Sequence, residues 1–500
     1  MLKKSLTFHT AIYSSGSFLV AIAGLVSFPF ITRLLTVEDY GIMNLISLTL
    51  MLLVGLGKAG LQRSIVRFSS EARAGNKPFT EADVYLTSMI TMLLIVLTIQ
   101  VIWSFASQLL PLSLVGDERV YPIFILTGML VIGQTLYSGL SNILVSEKES
   151  VTLSILEVVK RYSWLALAIP GLMLAEEKLK IFYIITGAHE LVFCAIILLI
   201  CQRSFAFLQG RMSWSLLRQL LTFGVPLVGF ELLSHVFAYI DRVQINYFLG
   251  TYDVGLYSAA YNLCLYLQTI FVVSLATAIT PMYMDRWETE GRKSTEAFLS
   301  LVLRYYLLIS IPTAVGITLI GKDLINFLAG DKYVEAHGVI PYVIIGMLID
   351  GITAVMAAGL QIQKRTGLMM VIMGCAAVLN LSLNPILIPI FGIEGAAVTT
   401  LVSYAFFTGL CWYFGRKVLT IRIDPKPVIY YGIAASIMMA AVLAVDMPLG
   451  TASLFVKASL GAVVFTLVAL TLDGELRRLV RSYAGPVWQM LMHRRPAFLR

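Results

Sequence analysis

The sequence predicts an all-α membrane protein with about fourteen transmembrane helices, each an apolar run of roughly 20 residues. Of its 500 residues, 58% are hydrophobic and only 13% are charged, whereas about a quarter of the residues in soluble domains are charged. The mean hydropathy is +0.84. No soluble core could bury this much apolar surface, so we expect lipid to surround most of the chain.

The apolar segments fall into two sets of six, followed by two more. In order, they cover 10–32, 41–65, 84–107, 122–146, 152–174 and 181–201, then 219–248, 255–283, 298–321, 339–362, 367–390 and 394–415, then 428–446 and 452–472. This predicts a six-helix N-terminal lobe (1–201), a linker (202–218), a six-helix C-terminal lobe (219–415), two extra helices (428–472) and a basic tail (473–500). The linker is basic and contains Trp214, which predicts a helix lying on the inner leaflet.

A weak internal repeat supports the division into halves. The segment from Leu34 to Gly41 resembles the segment from Phe248 to Gly255, with an Asp-x-Gly in each, and both join long apolar runs. A second pair, 146–149 and 362–365, follows at a similar offset. Internal repeats in a membrane protein are typical of transporters built from two related halves. With the N-terminus placed in the cytoplasm, as the lysine and arginine distribution described next indicates, both Asp-Gly segments are predicted to be structural turns at the outer face.

The segments that connect the apolar runs alternate between two sets, and one set holds about four times as many lysines and arginines as the other. This asymmetry predicts that the basic set, with both termini, lies on the cytoplasmic side. The net charge of +8 is spread between apolar segments rather than gathered in one patch, so nucleic acid is not an expected partner. The five cysteines lie in or at the ends of apolar segments without metal-ligand spacing, which predicts buried thiols. The first apolar segment is too long for a signal-peptide core and is expected to be a retained helix.

Several motifs resemble the Wzx-type polysaccharide flippases, relatives of MATE multidrug exporters and of the MurJ-type lipid II flippases. They are Phe28-Pro29-Phe30-Ile31-Thr32-Arg33-Leu34-Leu35, Asp39-Tyr40-Gly41, the run from Gly57 to Arg67, Asp241-Arg242, Phe248-Leu249-Gly250, Val254-Gly255-Leu256-Tyr257 and Ala260. The resemblance implies a MATE-like pair of lobes and transfer of an undecaprenyl-pyrophosphate-linked oligosaccharide across the bacterial cytoplasmic membrane.

We further expect transport without enzymatic chemistry and without a cofactor, coupled to Na⁺ or H⁺. The expected partners are the lipid-linked oligosaccharide, membrane lipids, a polysaccharide polymerase and a chain-length regulator. A diphosphate and its sugars need a wet, preferably cationic path between the halves, so lysine or arginine at membrane depth is the expected signal. The two extra C-terminal helices are expected to provide a groove for the lipid tail.

Four cations are the predicted substrate-binding residues. Lys58 lies roughly 25 Å along the second helix from Gly41, at a depth that suits capture of a diphosphate. Arg63 continues that helix and shares the role, Arg242 lies about two turns before the end of the seventh helix, and Arg304 about two turns into the ninth. Snorkelling of Lys58 or Arg304 to the surface remains an alternative.

Four further residues are the predicted coupling-ion site. Glu231 and His235 are four residues apart and share a helix face. Asp350 is a lone acid in the tenth helix, and Asp241 adjoins Arg242. The alternatives are polar helix contacts for Glu231 and His235, and for Asp241 and Arg242 a buried pair that fixes helix packing.

Two other groups of polar residues lie in the apolar segments. Glu157, Lys160 and Arg161 can form i,i+3 and i,i+4 pairs on the fifth helix, and they are expected either to line the inner mouth or to neutralise one another. Asn380, Asn384 and Pro385 predict a locally opened eleventh helix.

Other function classes remain as alternatives. A MATE-type drug exporter would share the fold. A membrane glycosyltransferase or polymerase acting on the same lipid carrier would need a large external loop, and the outer loops here are short. A scaffold for a polysaccharide assembly complex would tolerate loss of the intramembrane charges. No Gly-x-x-x-x-Gly-Lys-[Ser/Thr] phosphate loop is present, so ATP is not expected to drive the chain directly.

Overall fold

The computed structural model describes residues 2–75, 77–269, 274–422, 424–478 and 480, so the predicted tail lies outside the described residues from position 481 onward. Short 3₁₀ segments occur at Ser107–Leu109, Phe207–Gln209 and Asp331–Val339. The helices are α1 (Leu2–Leu34), α2 (Val37–Lys58), α3 (Leu61–Arg73), α4 (Glu81–Ala106), α5 (Leu112–Val115), α6 (Val120–Ser146), α7 (Ser150–Leu174), α8 (Lys178–Phe205), α9 (Trp214–Phe248), α10 (Thr251–Gln268), α11 (Ser274–Ala329), α12 (Ile340–Met356), α13 (Ala358–Ile362), α14 (Thr366–Gly415), α15 (Pro425–Leu443) and α16 (Thr451–Leu472).

The all-α membrane fold is confirmed. Among the described residues, ten helices are long and apolar enough to cross a membrane. The total of fourteen crossings stays a prediction, because two helices do not match single predicted segments. Helix α14, with 50 residues, covers both 367–390 and 394–415, and α11, with 56 residues, joins the end of 255–283 to the whole of 298–321. Each of the two contains one non-helical residue, Gly291 (φ 78°) and Gly392 (φ 61°). Both angles lie in the left-handed region that favours glycine, so each glycine allows a sharp change of direction.

Three local predictions are wrong. The segment 41–65 is not one helix, because Ala59 (φ 47°) and Gly60 (φ 72°) interrupt it between α2 and α3. The linker 202–218 is not a helix on its own: it consists of the end of α8, a 3₁₀ turn and the start of α9. Helix α14 stays helical through Asn380 to Pro385, and its break lies later, at Gly392.

The two Asp-Gly repeats pack against each other. Gly41 lies in the first turns of α2 and Gly255 in those of α10, so both belong to helices rather than to loops. A Cβ atom on Gly41 would clash with the Thr251 carbonyl oxygen, and a Cβ atom on Gly255 would clash with the Val37 carbonyl oxygen. The contact is therefore reciprocal, and each repeat supplies the glycine that lets the other backbone approach. It joins the two predicted halves at their predicted outer end.

The second repeated feature is a helix end with lysine in the left-handed region. Lys148 (φ 61°) follows α6 and Lys364 (φ 56°) follows α13. In both cases the next N–H donates back to a carbonyl five residues earlier: Glu149 to Leu144 and Arg365 to Leu360. This is the hydrogen bond of a Schellman helix end, formed here without glycine. The sequence pair therefore corresponds to two equivalent turns.

A second glycine contact joins the predicted halves at the predicted inner end. Gly60, between α2 and α3, lies against Gly224 of α9, where a Cβ atom on Gly224 would lie 2.9 Å from the Ala59 carbonyl oxygen. The Ser64 hydroxyl donates to the Leu220 carbonyl oxygen at 2.9 Å and strengthens this junction. The break between α2 and α3 thus brings α3 onto α9.

We expect Gly60→Ala to destabilise the protein by at least about 2 kcal/mol, for two reasons. Alanine is strained at the left-handed φ of this position, and its Cβ atom would clash with the Gly224 backbone. The melting temperature of the purified protein in detergent measures this. Gly229→Ala in α9 is the matched control, since no atom lies within 4 Å of its added Cβ. Equal melting temperatures for the two variants would contradict the close contact at Gly60.

Candidate functional site

Lys58 meets Glu231 across the junction of α2 and α9. The Lys58 Nζ lies 2.9 Å from Glu231 Oε1, and Gln62 Nε2 donates to Glu231 Oε2 at 3.0 Å. His235 Nε2 lies 4.0 Å from Glu231 Oε1. The structure therefore brings together one predicted substrate cation and two predicted coupling residues. An ion pair whose partners are each 18% exposed satisfies both charges, so neither is free to meet a ligand while the contact persists.

Arg63 lies apart from Lys58. The break at Ala59 and Gly60 places Arg63 on α3, where its side chain is exposed. The expectation that it continues the second helix is therefore wrong, and in this arrangement it does not join Lys58 at Glu231. Its predicted role as a substrate ligand stays a prediction.

Arg242 is fully buried in a cage of aromatic rings. Its guanidinium carbon lies 4.5 Å from the centroids of both the Tyr239 and the Tyr261 rings. Nε donates to Ser258 at 3.2 Å and one terminal nitrogen donates to the Ala238 carbonyl oxygen at 3.0 Å. Cation–π contacts and neutral acceptors thus stabilise a buried positive charge that has no carboxylate partner among the described residues.

The Arg242 network reaches the first predicted half through Asn262. The other terminal nitrogen of Arg242 donates to Asn262 Oδ1 at 3.4 Å. Asn262 Nδ2 in turn lies 2.9 Å from the Tyr40 hydroxyl and 3.1 Å from Asn44 Oδ1, both on α2. The buried guanidinium therefore supports the α2–α10 packing near Gly41.

Asp241 points away from Arg242 and into α14. Its Oδ2 accepts hydrogen bonds from the Tyr257 hydroxyl at 2.8 Å and the Thr400 hydroxyl at 2.6 Å. Its Oδ1 accepts one from Asn384 Nδ2 at 2.8 Å. The two adjacent charges do not pair with each other among the described contacts, because successive side chains of a helix point in different directions.

Three acceptor oxygens converge on the Asn384 amide nitrogen. They are Asp241 Oδ1 at 2.8 Å, Gln244 Oε1 at 2.7 Å and Asn380 Oδ1 at 3.1 Å. An amide NH₂ has two hydrogens, so one acceptor lacks a proper donor. The Asn384 Oδ1 atom is buried without a hydrogen-bond partner. This oxygen-rich, negatively charged cluster has the ligand chemistry that suits a hard cation such as Na⁺.

The remaining predicted residues lie elsewhere. Asp350 on α12 accepts a hydrogen bond from Gln268 Nε2 at 3.1 Å. Arg304 on α11 pairs with Asp473 just after α16, at 2.7 Å. Burial alone would raise the pKa of Asp473, but hydrogen bonds led by the one from Arg304 outweigh burial and hold that pKa below its usual value. Arg304 therefore attaches α16 to α11 and does not join Lys58 or Arg242.

Arg161 is the candidate that the sequence did not single out. Lys160, its neighbour on α7, pairs with Glu190 of α8 at 2.6 Å, so the expected pairing within the Glu157, Lys160, Arg161 group is not found among the described contacts. Arg161 has no carboxylate partner in the described part of the chain, and its Nε is buried without a hydrogen-bond acceptor.

Arg161 lies where α7 meets α1 and α10. One terminal nitrogen lies 3.5 Å from the Ser27 hydroxyl, and its guanidinium carbon lies 4.9 Å from the Trp164 ring centroid. A Cβ atom on Gly24 would lie 3.6 Å from that nitrogen and 3.1 Å from the Tyr266 ring of α10. In the sequence, the feature that could have drawn attention to Arg161 is Trp164, which lies three residues later and therefore on the same helix face.

The additional C-terminal helices border an apolar groove of about 450 Å³. Leu308, Pro312 and Gly316 of α11 line one side, and Met438 of α15 and Gly461 of α16 line the other. Two ion pairs connect α11 to the end regions of α16: Lys457 with Asp323 at 3.1 Å, and Arg304 with Asp473 at 2.7 Å.

Comparison with known proteins agrees with this architecture. The polysaccharide biosynthesis protein family matches residues 7–286, and the MatE family matches residues 226–386. A structure of the lipid II flippase MurJ in an inward closed conformation is similar, with a TM-score of 0.78 at 16% identity over 94% of this chain and 100% of that one. An inward-facing multidrug resistance MATE transporter of the MOP superfamily has a TM-score of 0.69 at 13% identity, over 80% of this chain and 93% of that one.

Curated relatives match over a shorter stretch. The probable low-salt glycan biosynthesis flippase Agl15 of Haloferax volcanii is 24% identical over 47% of this chain and 51% of its own length. The probable flippase AglR of the same organism is 29% identical over 38% of this chain and 39% of its own length. The chain thus spans about half the length, or less, of the curated relatives it matches. Because its family match covers more than half of its residues, the chain belongs to the polysaccharide biosynthesis protein family.

Proposed function

We propose that the protein is a flippase that moves a lipid-linked oligosaccharide across the bacterial cytoplasmic membrane by alternating access. Its substrate is an undecaprenyl-pyrophosphate-linked repeat unit, and its moving parts are the halves 1–201 and 219–415. Membership of the polysaccharide biosynthesis protein family, the MurJ-like fold and two flippase relatives support the proposal. A transporter, unlike a glycosyltransferase, needs a binding group for its cargo and no reacting groups.

Arg161 is the observation that carries the proposal. The compensation of its charge is weak: it has no carboxylate partner among the described residues, one ring face at 4.9 Å, one contact of 3.5 Å to a hydroxyl, and an Nε without an acceptor. A guanidinium so poorly compensated in apolar surroundings is costly, so its retention calls for an anion during the working cycle. The other deep cations have partners: Lys58 has Glu231, Lys160 has Glu190, and Arg242 has its aromatic cage. A planar guanidinium is suited to bidentate binding of a diphosphate. We therefore assign diphosphate binding first to Arg161.

Lys58 and Glu231 take a different role in this mechanism. Because the Lys58–Glu231 ion pair holds α2 against α9, separating the halves at the predicted inner end breaks it. Lys58 would then meet the diphosphate in the opened state and return to Glu231 on closure. Alternating access needs such contacts, which exist in one state and are lost in the other.

We expect Arg161→Gln to lower the flipping rate about tenfold to hundredfold, since a hydrogen bond to a charged group contributes roughly 1.5–3 kcal/mol. Arg161→Lys should retain part of the rate. Proteoliposomes loaded with a labelled pyrophosphate-linked oligosaccharide report appearance in the opposite leaflet. Lys417→Gln, at an exposed lysine, is the control. A wild-type rate for Arg161→Gln at equal protein incorporation would refute the assignment.

The coupling cation is proposed to bind at Asp241. Turning the Asn384 amide over would replace its NH₂ with an oxygen and leave Asp241, Gln244, Asn380 and Asn384 oxygens around one point. Oxygen ligands with a single carboxylate suit Na⁺, which carries one charge. The other predicted acids are less suitable, because Glu231 is neutralised by Lys58 and Asp350 has Gln268 as its described polar partner.

Sodium should therefore raise the melting temperature of the wild-type protein, because a ligand that binds only the folded state stabilises it. Asp241→Asn should lose this increase, whereas Asp350→Asn should keep it. Melting curves in NaCl and in choline chloride at equal ionic strength separate binding from screening. Equal shifts in both salts, or an unchanged sodium shift in Asp241→Asn, would show that the cation does not bind at Asp241.

The apolar groove between α11 and the α15–α16 pair is proposed to hold part of the polyprenyl tail. Its ion pairs to α11 keep the groove in place while the halves move. Gly316 faces the groove with no atom within 4 Å of an added Cβ, so Gly316→Phe should fill it without a backbone clash.

We expect Gly316→Phe to slow flipping of the long-tailed substrate several-fold and to spare a short-tailed analogue, because the lost contact is apolar and scales with buried methylenes, at ~0.8 kcal/mol each. The same proteoliposome assay with both substrates measures this. Gly432→Phe on α15 is the control, since no atom lies within 4 Å of its added Cβ and it lies outside the groove lining. Equal slowing of both substrates would argue against a tail site.

A further inference from the structure

A basic pocket of about 560 Å³ lies beside the contact between α3 and α9. It belongs to neither the Asp241 cluster nor the Arg161 region. Its lining includes Arg67, Glu71, Lys77, Arg218, Thr222 and Phe223. Arg67 and Glu71 lie on α3, and Arg218, Thr222 and Phe223 lie on α9, so each predicted half contributes one wall.

The pocket carries an excess of positive charge. One carboxylate, Glu71, is shared by Arg67 at 3.2 Å and Lys77 at 3.7 Å. Arg218 has no ion pair among the described residues. Three cations and one carboxylate leave a net charge of about +2 at the pocket, which favours an anionic ligand. All three basic residues belong to the segments that the charge distribution assigns to the cytoplasmic side.

Aromatic packing fixes the position of Arg67. Its guanidinium carbon lies 4.4 Å from the Phe223 ring centroid, and the Phe68 and Phe223 rings pack edge to face at 6.1 Å. A guanidinium held over a ring keeps its edge nitrogens available for a ligand. The pocket is therefore more ordered than a cluster of unrestrained surface lysines.

The surrounding surface has the composition of a membrane interface. Trp214 lies one turn before Arg218 on α9 and is 80% exposed. Leu208 and Met212, in the preceding segment, are also exposed. Exposed tryptophan and apolar side chains beside arginine are typical of the headgroup level of a bilayer, where the ring lies among acyl chains and the cation meets phosphates.

We propose that this pocket binds the phosphodiester headgroup of an anionic phospholipid of the inner leaflet. The cations hold the phosphate, and the acyl chains follow the apolar surface beside Trp214. Because α3 and α9 both line the pocket, a bound lipid bridges the two halves next to the Ser64–Leu220 hydrogen bond and favours the closed arrangement of this end. The site is independent of the transported substrate and of the proposed flippase activity.

The test is lipid binding by the purified full-length protein. Phosphatidylglycerol and phosphatidylcholine are titrated separately into the protein in neutral detergent, and bound lipid is counted by native mass spectrometry. We expect Arg67→Gln with Arg218→Gln to weaken phosphatidylglycerol binding by about 25-fold, roughly fivefold for each cation removed. Arg203→Gln, at an exposed arginine outside the pocket, should leave it unchanged.

Glu71→Gln gives the opposite expectation. Removing the shared carboxylate frees Arg67 and Lys77, so phosphatidylglycerol should bind about fivefold more tightly. A defect in folding cannot produce tighter binding, and the melting temperature without lipid checks each variant. Equal affinity for both lipids, wild-type binding by the double arginine variant, or weaker binding by Glu71→Gln would overturn the proposal. Equally effective competition by soluble glycerol phosphate would also overturn it, because the ligand would then not be a lipid.

Discussion

Charge compensation in apolar surroundings is the constraint that organises the interior of this protein. A cation removed from water needs a carboxylate, a set of acceptors or an aromatic face, because its own desolvation is costly. Lys58 and Lys160 use carboxylates on a neighbouring helix, and Arg242 uses rings and neutral acceptors. These contacts connect α2 with α9, α7 with α8, and α9 with α10. Arg161 is the least compensated of these cations: it has one ring face at Trp164, one long contact to Ser27 and an Nε without an acceptor, and this deficit is the physical basis for treating it as a ligand for an anion.

Backbone contact at glycine is what joins the two predicted halves at both ends. Gly41 and Gly255 let α2 and α10 touch at one end, and Gly60 and Gly224 let the α2–α3 break touch α9 at the other. Around the contact of α2 with α10, buried apolar side chains of both halves pack in one cluster, Ile42 and Ile46 with Tyr257 and Ala260 among them. Between the two ends, the Lys58–Glu231 ion pair and the hydrogen bonds of Asn262 with Tyr40 and Asn44 also connect the halves. This arrangement suits a protein that alternates between two closed ends.

Much of the fold was predictable because lipid imposes strong rules on sequence. Apolar run length placed the helices, and the repeat at Asp39-x-Gly41 and Asp253-x-Gly255 marked equivalent elements. The failures have a local cause. The end of α2 was missed because Ala59 adopts a left-handed conformation that alanine rarely takes, and the contact with Gly224 supports the turn that follows it. The opening expected at Pro385 is not found, since α14 is helical at that residue. Its one non-helical residue is Gly392, which the prediction did not mark.

By itself, the sequence determined the class of protein, the order of its helices and the set of charges that apolar surroundings must accommodate. It did so because hydrophobicity and charge are properties of single residues and short runs. Only the tertiary structure decided which charges are partners: Lys58 with Glu231, and Asp241 with Asn384 rather than with Arg242. Pairing depends on which helix faces meet, and residues far apart in the chain set those faces. For that reason Lys58 was predicted as a ligand and is paired with Glu231. Arg161 was predicted to line the inner mouth or to be neutralised on its own helix, and it has no carboxylate partner among the described residues.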